Sequence, residues 1–297
     1  YHKKLRRRTL VNIEALKWQG LEAWSRKREP QNEDLFDLTL NHHGVVVRWR
    51  LESKDFAEQL RGYFPRTQQT CPLVAESSVR WWDARRLEGP LESFWERDPN
   101  PDCRQKPLST GLGVVQRDFI ALEEKNQTQL LTPYWIDDGL FNFMRWFLPR
   151  RMLEKEAFLL HSAAVLDEKG RAYLCLGPSG AGKTTISSMA PEGRVLGDDM
   201  NVIVGRDGQW FVTSAMMGAR MDNPRLFGQF FPVHRVFWLK KGESTRFSNI
   251  GCATSLVKVL SQMANLFWPD METALSEKAN NFASSFAEAH PLKQLTF

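Results

Sequence analysis

Two groups of residues have the types and spacing that phosphate chemistry needs: Gly177-Pro178-Ser179-Gly180-Ala181-Gly182-Lys183-Thr184 with Thr185 behind it, and the neighbouring carboxylates Asp198 and Asp199. The first segment fills the pattern GxxxxGK[ST] at every fixed position, after an apolar strand and before a helix start. Phosphate oxygens must be approached closely by several backbone N–H groups, so Gly177, Gly180 and Gly182 leave the space a side chain would take. A helix starting near Lys183 adds the positive end of its dipole at the same spot. Lys183 supplies a flexible cation for the β- and γ-phosphates, and the Thr184 hydroxyl is suited to hold Mg²⁺. The segment from Gly177 to Thr185 therefore predicts a cradle for ATP with Mg²⁺.

The run Arg194-Val195-Leu196-Gly197-Asp198-Asp199 puts two acids 15 and 16 residues after Lys183, at the end of a short apolar pair. Such a strand delivers carboxylates beside the phosphates. Two adjacent acids can divide the work: Asp198 as the general base that takes the proton of an attacking hydroxyl, and Asp199 with Thr184 on the metal. Strand alternation points the two side chains to opposite faces, which argues against one shared role. Further on, SAMMGARMDNPRLFG carries Arg220 and Arg225 between Gly and Pro residues. That stretch predicts a loop whose arginines neutralise γ-phosphate charge.

The elements that must position these groups are marked by pattern. FLLHSAAVL and RAYLCL are apolar strands about the turn Asp167-Glu168-Lys169-Gly170, and the second runs straight into the glycine loop. The helix after the loop must be short, because Pro191 and Gly193 follow closely. MNVIVG and QWFVTSA about Asp207-Gly208 predict a further hairpin. Upstream, residues 5 to 28 read as a basic helix packed on its own domain. LFDLTL and VVVRWRL form a hairpin about Asn41-His42-His43-Gly44, and Ser53 caps a helix that Gly62 can stop. Residues 96 to 110 read as a polar, Pro-rich loop. A helix over 138 to 155, interrupted by Pro149, joins the halves. The His42-His43 pair is read as turn polarity rather than as metal ligands.

The chain of 297 residues, 42% hydrophobic, supports a real core. Its net charge of +5 is local: residues 1 to 29 hold nine Lys or Arg against three Glu, which leaves −1 for the other 268. No nucleic-acid partner is expected on that distribution. Cys71, Cys103, Cys175 and Cys252 lie far apart, without zinc or disulfide spacing, which predicts reduced thiols and a cytoplasmic protein. No apolar run approaches the roughly 18 residues of a membrane span.

A hairpin before the loop and another after the acids resembles the HPr kinase/phosphorylase family, whose catalytic domain is related to the phosphoenolpyruvate carboxykinase-type phosphate-loop fold. The residues that carry the likeness are LLHSAAVLDEKGRAYLCLGPSGAGKTT, RVLGDDMNVI and, less specifically, HRVFWLKKGEST. It covers residues 157 to 297, whose last stretch is similar to the family's closing helices and final strand. The strand and helix patterns upstream predict an N-terminal α+β recognition or regulatory domain over 1 to 150, and the resemblance implies a P-loop kinase domain over 151 to 297, in an α/β protein. It also implies γ-phosphate transfer to a hydroxyl of a protein Ser or Thr, with Asp198 as base and acid, His161 near it, and a homo-oligomer. A small hydroxylated metabolite as acceptor, a non-catalytic nucleotide switch and a carboxykinase-like reaction are the competing readings.

Overall fold

Two β-sheets flank a buried helix. The computed structural model describes residues 12–27, 35–42, 45–64, 75–83, 102–132, 138–215, 226, 228–263 and 273–297. The first sheet has seven strands in the order β1-β2-β3-β7-β6-β5-β4, namely β1 (Phe36–His42), β2 (Val45–Leu51), β3 (Ala75–Asp83), β4 (Arg104–Leu108), β5 (Gly111–Val115), β6 (Ile120–Glu123) and β7 (Thr128–Thr132). Alternation dictates which face is buried: along β2, Val45, Val47, Trp49 and Leu51 point into the core while Arg48 stays in solvent. Part of the stretch read as a loop over 96 to 110 is strand. β4 pairs antiparallel with β5, and its Pro107 is tolerated because β4 is the last strand of the sheet.

Helix α1 (Ile13–Lys27) lies on β5 and β6. It seats Leu21 in the core and packs Trp24 edge-on against Trp82 at 5.6 Å. Its Lys17 is fully buried, and the ammonium donates to the carbonyls of Gln116 and Arg117 at 3.0 and 2.9 Å. Burying an ammonium is tolerable only with such bonds, and they tie the helix to the turn before β6. Ser53 caps α2 (Lys54–Tyr63) by accepting from the Phe56 N–H, as its sequence predicts, but the helix passes Gly62 and ends one residue later. His42 is buried, accepts a hydrogen bond from the Trp49 indole at 3.3 Å and meets the Phe64 ring edge-on, so it is a core residue. His43 lies outside the described residues.

Helix α3 (Asp138–Leu153) runs on through Pro149 rather than being interrupted by it, with ten residues buried. Its Phe143, Met144, Trp146 and Phe147 join a cluster that begins at Leu38 in β1 and extends to Leu159, Val202 and Val204 in the second sheet. The expected boundary at residue 150 thus falls inside an element whose apolar surface is shared by both sides. Arg150 and Arg151 fix α3 to β6 through the two oxygens of Glu123, at 3.3 Å for Arg150 and in a very close contact for Arg151.

The second sheet holds β8 (Ala157–Leu166), β9 (Ala172–Leu176), β10 (Val195–Gly197), β11 (Met200–Arg206), β12 (Gln209–Ser214), β13 (Phe231–Lys240), β14 (Arg246–Asn249) and β15 (Lys293–Thr296). The pairings β8–β9, β9–β13, β13–β12, β12–β11 and β11–β8 close on themselves. Helices α4 (Lys183–Met189), α5 (Cys252–Leu260) and α6 (Thr273–Ala289) complete this half, and α6 buries Ala279, Ala283, Phe286 and Ala287 against the sheet residues Phe158, Ile203 and Val212. Both hairpins foreseen around the glycine loop form, at Asp167–Gly170 and at Asp207–Gly208. No described helix is long and apolar enough to cross a membrane.

Removing the carboxylate shared by two part-buried arginines leaves both without their partner. Glu123→Ala is therefore expected to destabilise the chain by about 1 to 3 kcal/mol, read as a fall in the urea midpoint without a change in slope.

Candidate functional site

Strand β8 assembles the site. On one edge it pairs with β9, which runs into the loop from Gly177 to Gly182. On the other it pairs first with β11 and then with β10, so the acids between those strands lie alongside β8. Gly197 faces Ala164 and Met200 faces His161, with Asp198 and Asp199 in a bend between the two ladders. The bend is closed by the Ser162 N–H donating to the Asp199 carbonyl at 2.9 Å. Asn201 ties it further: its amide donates to the Ser162 carbonyl at 2.6 Å and to the Ser162 hydroxyl at 3.0 Å. A side chain at position 197 would come within 2.6 Å of Asn201 Oδ1, which explains the glycine there.

His161 Nε2 lies 3.0 Å from Asp199 Oδ1. The sequence reading put His161 beside Asp198, and an unbroken ladder would do so, because positions 161, 163, 198 and 200 would share one face. The bend departs from that alternation and brings the second acid to the histidine. Asp198 itself is buried, at 6% exposure, while Asp199 is partly open to solvent. The hydrogen bond from His161 holds the Asp199 carboxyl below its ordinary pKa, aided by the charges of His161, Arg145 and Lys183 and opposed by burial.

The helix after the loop starts at Lys183, as the sequence predicts. Gly182 caps α4 with φ 106°, and no side chain bonds the helix N-terminus there. That leaves backbone N–H groups directed at whatever sits in the loop. A Cβ at Gly182 would lie 2.6 Å from the Phe297 ring, which forms one cluster with Ala181 and Leu295. One at Gly177 would stand 2.8 Å from Ala181 Cβ. Lys183 is buried and turns back into the loop, donating to the Gly177 carbonyl at 2.7 Å and the Pro178 carbonyl at 3.3 Å. Burial lowers its pKa, and the nearby Asp199 charge pulls the other way. Pro178, Ser179, Gly180, Thr184 and Thr185 are exposed around it, and Ala181 is buried.

Loop and acids therefore meet: Lys183, Asp199 and His161 form one electrostatic group, with Asp198 next to it in the chain. Residues 100–212 match the family model described as phosphoenolpyruvate carboxykinase. The match spans the phosphate loop, the acid pair and His161, and it also reaches upstream through β4 to β7 and α3, a region in which the sequence alone offered no chemical signature. It supports the carboxykinase-type phosphate-loop family and does not single out HPr kinases. A nucleotide partner and ATP-dependent phosphoryl-transfer chemistry fit that family.

An ATP–Mg²⁺ pair suits the residues present. Gly180 faces open space, Gly182 leaves the helix N-terminus uncapped by any side chain, and Lys183 now bonds carbonyls that a phosphate would displace. Among the described residues no group of three or more His, Cys, Asp or Glu forms a metal cluster. Mg²⁺ needs none, since it takes one or two protein oxygens with phosphate and water.

Arg220 and Arg225 lie outside the described residues. Two contributors escaped the sequence reading. Asn201 could have been flagged as an amide opening an apolar strand, whereas Arg145 lies in an aromatic helix with nothing to mark it. Gly182→Ala is expected to strain the loop twice, through φ and through Phe297, and to weaken Mg·ATP binding by at least about tenfold in calorimetry. Pairing Gly182→Ala with Phe297→Ala should relieve only the steric part. The stability gap between wild type and Asp199→Asn should close as pH falls through the carboxylate range. Its sign follows from a folded-state pKa held low by His161, so the gain is lost on protonation.

Proposed function

We propose that this chain is an ATP- and Mg²⁺-dependent phosphotransferase that moves the γ-phosphoryl group to an acceptor hydroxyl. The observation that carries the reading is the convergence on Asp199 of the loop cation Lys183 and the strand residue His161. An ionised carboxylate at that point, beside a second and buried acid, is what metal-assisted transfer to a hydroxyl requires. Lys183 and the N–H groups of the loop bind and orient the β- and γ-phosphates. Thr184 and Asp199 would hold the metal, which when bound neutralises phosphate charge. His161 orients Asp199 rather than Asp198. Asp198, buried beside it, takes the proton of the attacking hydroxyl, and its burial favours the proton-accepting role by excluding water.

The acceptor we propose is a Ser or Thr hydroxyl of a protein, on the likeness of residues 157 to 297 to HPr kinases. A small hydroxylated molecule is the alternative acceptor. The match over residues 100–212 favours a second reading, a carboxykinase-type reaction on a small keto acid. Incubating the full chain with γ-labelled ATP, Mg²⁺ and cell extract separates them, with label in a protein band supporting the first and label in a small product the others. Asp198→Asn should cut turnover by roughly 10²- to 10⁴-fold at unchanged ATP affinity, whereas Asp199→Asn should raise the Mg²⁺ requirement. Undiminished turnover in both variants would refute the assignment.

A further inference from the structure

Phosphoryl transfer needs positive charge on both sides of the migrating group, because three equatorial oxygens carry charge from donor to acceptor. Lys183 and the loop amides serve the donor side. α3 carries three arginines, and two of them, Arg150 and Arg151, are neutralised by Glu123. Arg145, about one turn and a half earlier, is different. Its side chain is half-buried, with the guanidinium 5.3 Å from the Phe141 ring centroid. Its Nε is buried and has no acceptor, and among the described residues no carboxylate forms an ion pair with it. A guanidinium in that state is partly desolvated and in contact with no described carboxylate, which suits its terminal nitrogens to receive an arriving anion.

Where that anion would sit follows from the packing. α3 lies against β8, the strand of His161, and the Arg145 charge acts on Asp199 without touching it. Asp199 is the carboxylate that Lys183 also addresses, so the two cations reach the same point from different elements, one from the loop after β9 and one from α3.

We propose that Arg145 is a further catalytic residue of this site, the cation that takes hold of the phosphoryl oxygens on the acceptor side. This rests on the phosphotransferase reading above. In the step, the bond from the γ-phosphorus to the bridging oxygen of ADP breaks, the acceptor oxygen bonds to that phosphorus, and the acceptor proton passes to Asp198. Arg145 stays protonated throughout and exchanges no bond. Its planar fork suits two phosphoryl oxygens at once, which a lysine cannot match.

The test uses the full chain saturated with Mg·ADP and radiolabelled inorganic phosphate as probe for the transferred group, in equilibrium dialysis. Wild type is expected to bind phosphate, Arg145→Met to bind it roughly ten- to a hundredfold more weakly, and Arg145→Lys to fall between them, with Mg·ADP affinity alike in all three. Should Arg145→Met fail to fold, the lysine variant carries the comparison alone. Phosphate affinity unchanged in the variants, or no phosphate bound by ADP-loaded wild type, would overturn the proposal and leave the phosphotransferase reading standing. Failure of wild type to bind Mg·ADP at all would overturn both.

Discussion

A single strand has two hydrogen-bonding edges, and the chemistry of this protein depends on how β8 uses them. One edge leads through β9 into the phosphate loop, and the other carries the acid pair between β10 and β11. Strands sit about 4.8 Å apart, so the ladders on the two sides hold loop and carboxylates two strand spacings from each other. That spacing is set by backbone geometry and not by flexible side chains. His161, on the shared strand, can then reach Asp199 only because the chain bends at 198 and 199. Ser162 and Asn201 fix the bend with main-chain and amide bonds, so the carboxylate is positioned by buried groups that meet no ligand.

The first sheet is not an appendage to that arrangement. Its apolar cluster continues through α3 into β8 and β11, and the Glu123 pairs lock the helix to β6. A shift of the first sheet would move α3 and with it Arg145, whose field reaches the site. The family match tells the same story, since it begins in the first sheet and runs unbroken across α3 to β12.

Much of the second half was legible because its signals are local. Glycines in the loop, turn residues at 167–170 and 207–208, and Pro191 after α4 each act within a few residues, and the elements appear where those signals put them. What failed was decided across the fold. Pro107 seemed to forbid a strand, but a strand at the sheet edge has no need of that N–H. Pro149 seemed to break a helix that tertiary packing carries through. His161 meets Asp199 and not Asp198, the neighbour that the resemblance implied, because the chain bends between the two ladders, and that bend is held by residues from two other positions in the sheet. Arg145 left no trace at all, because an arginine within an aromatic helix carries no local signal.

The Phe297 ring beneath Gly182 joins positions 115 apart in the sequence, 182 and 297. Every residue of the glycine loop is thus present long before its floor is. A contact of that span forms late, since the intervening chain must be ordered first. A nascent chain that stops short of Lys293 has the whole nucleotide motif and neither β15 nor the aromatic beneath the loop. The aromatic floor of the glycine loop is therefore in place only once β15 has joined the second sheet.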